Sequence, residues 1–229
     1  MFFNNKWIFC FLLLTLFGKA IAQQTDNEQK LAFEYFNNQE YEKACLLFEK
    51  LYNTSPTMTN YDYYLQSLIH LSQWKDAEKL IKKQIKLHPK TYKYQIDFGH
   101  LLDLQSDNNK AKKQYENIIN NLEQSDIVEV ANLFSSYHLN DYAIKTYLQG
   151  RKLSGHEDSY ALELALKYQS ENQYEKAIQE HLLLLQFNEE KLSEVEAVLL
   201  TWWLNDENYT KWKKKILPCQ WIKTSFSKK

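Results

Sequence analysis

The side chains of this 229-residue sequence that could do chemistry are six histidines, three cysteines and a few neighbouring carboxylates, and their spacing does not assemble a reaction centre. His70, His88, His100, His138, His156 and His181 are scattered along the chain, with no H-x-x-x-H or H-E-x-x-H pair to put two imidazoles on one helix face for a metal. There is no G-x-S-x-G to present a nucleophilic serine. After residue 22 the only glycines are Gly99, Gly150 and Gly155, too dispersed to cradle a phosphate. Glu189 and Glu190 sit in a charged stretch that solvation explains better than acid–base work. Cys45 lies beside Ala44 and reads as a small buried residue. Cys219 is far from it in sequence, and neither has a partner at metal-ligand spacing. Asn53-Thr54-Ser55 and Asn208-Tyr209-Thr210 match glycosylation sequons, which matter only in a eukaryotic secretory setting. The expectation is no catalytic residue, no cofactor and no metal.

The elements that carry these residues are helical. Phe33 to Pro56 reads F-E-Y-F-N-N-Q-E-Y-E-K-A-C-L-L-F-E-K-L-Y-N-T-S-P, with apolar residues at helical spacing on both sides of a polar break at Asn37 to Glu40 and a proline at its close. The pattern predicts a helix, a tight turn and a second helix. It returns with a small residue at Ala44, Ala77, Ala111, Ala143 and Ala177, at spacings of 33, 34, 32 and 34. Thirteen, twelve and nine residues before each alanine the chain is apolar or small, as at Leu31, Ala32 and Tyr35 or Phe98, Gly99 and Leu102. Four residues after it stand Phe48, Ile81, Tyr115, Tyr147 and His181, which makes His181 a packed histidine. Two helices approach to about 8–10 Å only where small side chains meet at the crossing, so the alanines mark the crossing points.

This period and skeleton resemble the tetratricopeptide repeat, a helical hairpin of about 34 residues. The resemblance covers residues 25 to about 190. It implies an all-α fold of stacked antiparallel hairpins forming a right-handed superhelix, and binding of a protein or peptide in place of catalysis. Asn108 and Asn140 depart from the family's turn aromatic, and the closing prolines Pro56 and Pro89 become Glu123, Gly155 and Glu189, so those hairpins should end less sharply. By the resemblance, the first helices line a concave groove. Its candidate residues here are Phe33, Phe36, Gln66, Ile69, His70, His100, Asp103, Asn132, Ser135 and Gln169, with Gln29, Asp62, Ile96, Val128 and Leu166 on the same phase. The lysine and asparagine pattern that clamps acidic chaperone tails is missing, since Gln29 and Phe33 stand where it would begin. Phe33 and Phe36 are open to two readings, as apolar pockets for a ligand or as packing between hairpins.

Residues 1–22 carry Lys6, an apolar run from Trp7 to Phe17 and small residues at Ala20 and Ala22, the pattern of a cleaved secretory signal. The run is short for a membrane span of about 20 residues; retention as an anchor is the alternative. Export predicts a protein of the bacterial cell envelope or periplasm that starts at Gln23. Without the two lysines of the signal, 26 basic and 29 acidic residues leave a net charge of −3. Arg151 is the sole arginine, and no basic face with interleaved aromatics runs through the repeats, which disfavours nucleic acid as a partner.

The last stretch differs in kind. Residues 191–217 keep the skeleton faintly, with Trp212 in the place of the small alanine, and residues 218–229 have lost it. From Asn208 onward there are seven lysines and no acid, so residues 23–207 carry −10. This segment reads as a degenerate sixth hairpin capping the stack, as a basic, tryptophan-rich contact to anionic lipid or an acidic partner, or as the trace of a longer repeat protein.

Overall fold

A computed structural model describes residues 26–191, 193–195 and 197–198. The expected signal and the tryptophan-rich stretch from residue 201 lie outside the described residues. Helix α1 covers 26–37, and α2 (Tyr41–Thr54), α3 (Met58–His70), α4 (Trp74–Leu87), α5 (Tyr92–Leu104) and α6 (Asn108–Asn120) follow. After a 3-10 turn at Gln124–Asp126 come α7 (Ile127–Ser136), α8 (Asn140–Ser154), α9 (Ala161–Ser170), α10 (Tyr174–Phe187) and a second 3-10 turn at Glu189–Lys191. No strand occurs among the described residues. The fold is all-α, built of antiparallel helical hairpins in a tetratricopeptide-like repeat. The chain divides into two compact units, the first ending at Tyr115 and the second beginning at Glu116, a boundary that falls within α6.

The repeat register is the packing register. Ala44, Ala77, Ala111, Ala143 and Ala177 are all completely buried. In the first unit α3 packs on both α2 and α4, and α4 on α5; in the second, α8 packs on α7 and α9, and α9 on α10. Ala32, Ala44, Phe48 and Leu51 form one core cluster, and a second gathers Tyr61, Leu65, Leu68, Ala77 and Ile81. Cys45 and His181 are buried, as their register positions require. Burial, with Glu49 and Asp76 nearby, pushes the Cys45 thiol up to about 11. Burial pushes the His181 imidazole down, against the pull of Glu194.

Each first helix ends in the same way. The residue five before each alanine, Gln39, Ser72, Ser106, His138 and Asn172, has a left-handed φ between 55° and 62°. Its N–H donates to the carbonyl three residues back, and the next N–H to the carbonyl five residues back, as Ser72 does to Ile69 at 2.9 Å and Gln73 to Leu68 at 2.9 Å. This is the Schellman closure, in which glycine is the usual left-handed residue. None of the five is glycine. A left-handed backbone costs an L-residue roughly 1–2 kcal/mol, and glycine gives back part of that relief as entropy of the unfolded chain. Ser72→Gly should therefore stabilise the first unit by about 0.5–1 kcal/mol, read as a higher urea midpoint with an unchanged slope. A lower midpoint would mean that the serine, and not the turn geometry, holds this corner.

The closures between hairpins follow the sequence departures. Behind Pro56, the Thr57 side chain accepts from the Asn60 N–H at 3.2 Å and caps α3. Where Gly155 replaces proline, it takes φ 71° and its N–H donates to the Arg151 carbonyl, a left-handed stop to α8. A 3-10 turn follows Glu123, and another begins at Glu189.

Candidate binding face

The outward residues of the first helices are the candidate site, and their surroundings separate packing from free surface. In the first unit Phe33 and Phe36 are half-buried. The Phe33 ring lies 4.7 Å from that of Tyr63 and 5.3 Å from that of Phe48. The Phe36 ring meets Tyr63 at 4.9 Å and Tyr41 at 5.4 Å, all edge to face. Much of both rings is thus committed to joining the first hairpin to α3. His70 is exposed and stacks on Tyr41 with ring centroids 4.0 Å apart and planes 3° from parallel. Gln66 is exposed, and Ile69 is half-buried against the second core cluster. Ile96, expected on the groove phase, has no exposed surface. One turn of helix separates it from half-buried His100, and neighbouring side chains cover it, a circumstance that helical phase does not encode.

On α5, Asp103 accepts a hydrogen bond from the buried Tyr115 hydroxyl at 2.9 Å. Burial pushes the His100 imidazole down while Asp103 and Asp97 pull it up. Beside these lies a charge cluster. Lys93 Nζ sits 2.7 Å from Asp62 Oδ1 and 3.1 Å from Asp97 Oδ2, and Tyr61 donates to Asp97 at 2.9 Å. Burial raises the Asp62 carboxyl, Lys93 lowers it, and Asp97 raises it again. Asp97 is almost fully buried, so the cluster ties α3 to α5 and carries one net negative charge at the edge of the face. Its sequence signal is the Lys93–Asp97 spacing of four on one helix, which by itself does not point to Asp62.

In the second unit Asn132 on α7 and Leu166 on α9 are exposed. Val128 is 47% exposed. Ser135 is half-buried and turns its hydroxyl back to the Ala131 carbonyl at 2.9 Å; Gln169 is half-buried. Among the described residues no three His, Cys, Asp or Glu side chains lie together as a metal-binding group. No helix among them is long and apolar enough to cross a membrane.

No protein-family model matches the chain, and no curated protein does. Solved structures similar to it include TTC0263, a thermophilic TPR protein in Thermus thermophilus, at 15% identity over 77% of this chain and 99% of that chain, with a TM-score of 0.37. A MamA structure from Desulfovibrio magneticus RS-1 is similar at 11% identity, over 73% of this chain and 96% of that chain, with a TM-score of 0.37. A crystal structure of MamA protein is similar at 14% identity, over 75% of this chain and 96% of that chain, with a TM-score of 0.36. At these scores the fold rests on the helices described above, and no role transfers from those proteins.

The first unit presents Gln66 and the imidazoles of His70 and His100; the second presents Asn132 and Gln169 beside the exposed aliphatics Val128 and Leu166. These groups can pair with a peptide backbone and shelter an apolar side chain. They supply no nucleophile with an adjacent base.

Proposed function

We propose that the chain is a non-enzymatic scaffold of the bacterial cell envelope that binds a protein or peptide along the face of its first helices. The carrying observation is a contrast between adjacent repeat positions. Twelve residues before each alanine stand Ala32, Leu65, Gly99, Ala131 and Ala165, all buried. One residue later stand Phe33, Gln66, His100, Asn132 and Leu166, which are half-buried or exposed and chemically different from one another. The repeat thus holds constant what packs and varies what faces outward, as a surface for recognition requires. The envelope location rests on Lys6, the Trp7–Phe17 run and the small residues Ala20 and Ala22.

Gln66 and Asn132 are exposed, so Gln66→Lys with Asn132→Lys should leave the melting temperature unchanged while removing a partner that the parent protein captures from envelope extracts. Equal capture by parent and variant would sink the assignment of this face. Sequencing the N-terminus of the exported protein should find Gln23; full-length chain recovered from the cytosol would end the envelope reading.

A further inference from the structure

A second surface of the first unit is a cleft of about 390 Å³ between α2, α3 and α4. Its size lies within the range of ligand pockets. Glu42, Glu49 and Asp76 line it together with Cys45, Tyr64 and Leu46. Leu46 is 68% exposed, the most exposed large aliphatic among the described residues. None of the three carboxylates forms an ion pair among the described residues, although Lys43 and Lys50 on the same helix are paired with Glu40 and Glu28. Cys45 is more than nine-tenths buried and forms no disulfide among the described residues. The Tyr64 hydroxyl hydrogen-bonds Glu49, but no cation among the described residues pairs with any of the three carboxylates. The cleft therefore offers three negative charges around an apolar floor, and the occupant that suits it is a cationic segment with large apolar side chains.

The chain contains such a segment. Pro218–Lys229 reads P-C-Q-W-I-K-T-S-F-S-K-K, with Lys223, Lys228 and Lys229 and no acid to offset them, and with Trp221, Ile222 and Phe226 between. Three lysines match three carboxylates, and the aromatic rings match the floor. We propose that this cleft receives residues Pro218–Lys229 of a second copy of the chain, so that copies associate head to tail. Cleft and segment are different surfaces, so the contact is heterologous and continues from copy to copy. This inference is independent of the first-helix face.

Cys45 reports on the occupant. In a chain carrying Cys10→Ser and Cys219→Ser it is the sole thiol, and its alkylation by iodoacetamide should slow as protein concentration rises. With copies at roughly ten times their dissociation constant, protection should reach about fourfold, because free segments are depleted along with free clefts. Truncation after Leu217 should abolish the concentration dependence, and adding a synthetic peptide of residues 218–229 to the truncated chain should restore protection. Glu42→Gln, Glu49→Gln and Asp76→Asn together change the thiol's own reactivity, so the ratio of rates with and without peptide is compared; it should fall to one while the melting curve stays cooperative. Sedimentation of the intact chain should show concentration-dependent species larger than a dimer. Equal alkylation of intact and truncated chains at every concentration would overturn the proposal. So would protection that does not depend on concentration, or salt-sensitive binding of the peptide to anionic vesicles with Cys45 left unprotected by it.

Discussion

Arg151→Met should destabilise the second unit by about 3–5 kcal/mol, the cost of leaving one member of a buried ion pair without the other. Arg151 is the sole arginine of the chain and stands in the last turn of α8. Its Nη1 and Nη2 donate to the two carboxylate oxygens of Glu180 at 3.1 and 2.6 Å, and its Nε donates to the Ser159 carbonyl at 3.0 Å. The guanidinium thus fixes α10 and the loop between α8 and α9 at once. The two side chains are only 19% and 11% exposed, so water cannot replace the lost partner. Arg151→Lys should recover little, because an ammonium cannot make the two parallel bonds and the third to the loop. Arg151→Met with Glu180→Leu should recover most of the loss, since an apolar pair of similar volume leaves no buried charge. Urea unfolding of the three variants decides the matter. If Arg151→Met keeps the parent midpoint, the pair is solvated and the argument fails.

Gly99→Ala should cost about 1–3 kcal/mol by overpacking, against a gain of about 1 kcal/mol in helix propensity. A Cβ on Gly99 would overlap Tyr115 Cε1 and lie 2.8 Å from its Cδ1 and Cζ. The ring has little room to swing away: Tyr115 is 1% exposed, and its hydroxyl is held by Asp103. Either α5 and α6 separate or the hydrogen bond breaks. Gly99→Ala combined with Tyr115→Leu should therefore be less destabilising than the sum of the two single changes, a coupling that a double-mutant cycle measures. Additive effects would show that the two side chains do not contend for this space.

The same pair shows how far the sequence carries the fold. Position twelve before the alanine and position four after it run Ala32 with Phe48, Leu65 with Ile81, Gly99 with Tyr115, Ala131 with Tyr147 and Ala165 with His181. The smallest residue of the first series stands with a tyrosine, and the largest with an isoleucine. The hairpin, its crossing points, the packed His181 and the buried Cys45 were legible because each depends on helical phase and on neighbours within one repeat. The left-handed turn residues recur at the same period but were not legible as such, because Gln, Ser, His and Asn carry no common signal and the Schellman bonds are backbone to backbone.

The candidate face was legible in phase and illegible in exposure. Phe33 and Phe36 share their phase with Gln66 and His70, yet the rings are joined to Tyr63 and Tyr41 while Gln66 stays exposed. Ile96 shares it too and is wholly buried. Sequence alone therefore determined the helical hairpin, its period and the positions that pack within it, since these follow from side-chain size and spacing over a few turns of chain. Only the tertiary structure decided which outward positions are covered and which charges are held: Lys93 between Asp62 and Asp97, and Arg151 on Glu180. Asp62 and Glu180 lie about a repeat length from their partners, and a match across that distance depends on how neighbouring hairpins pack, which no local pattern of residues records.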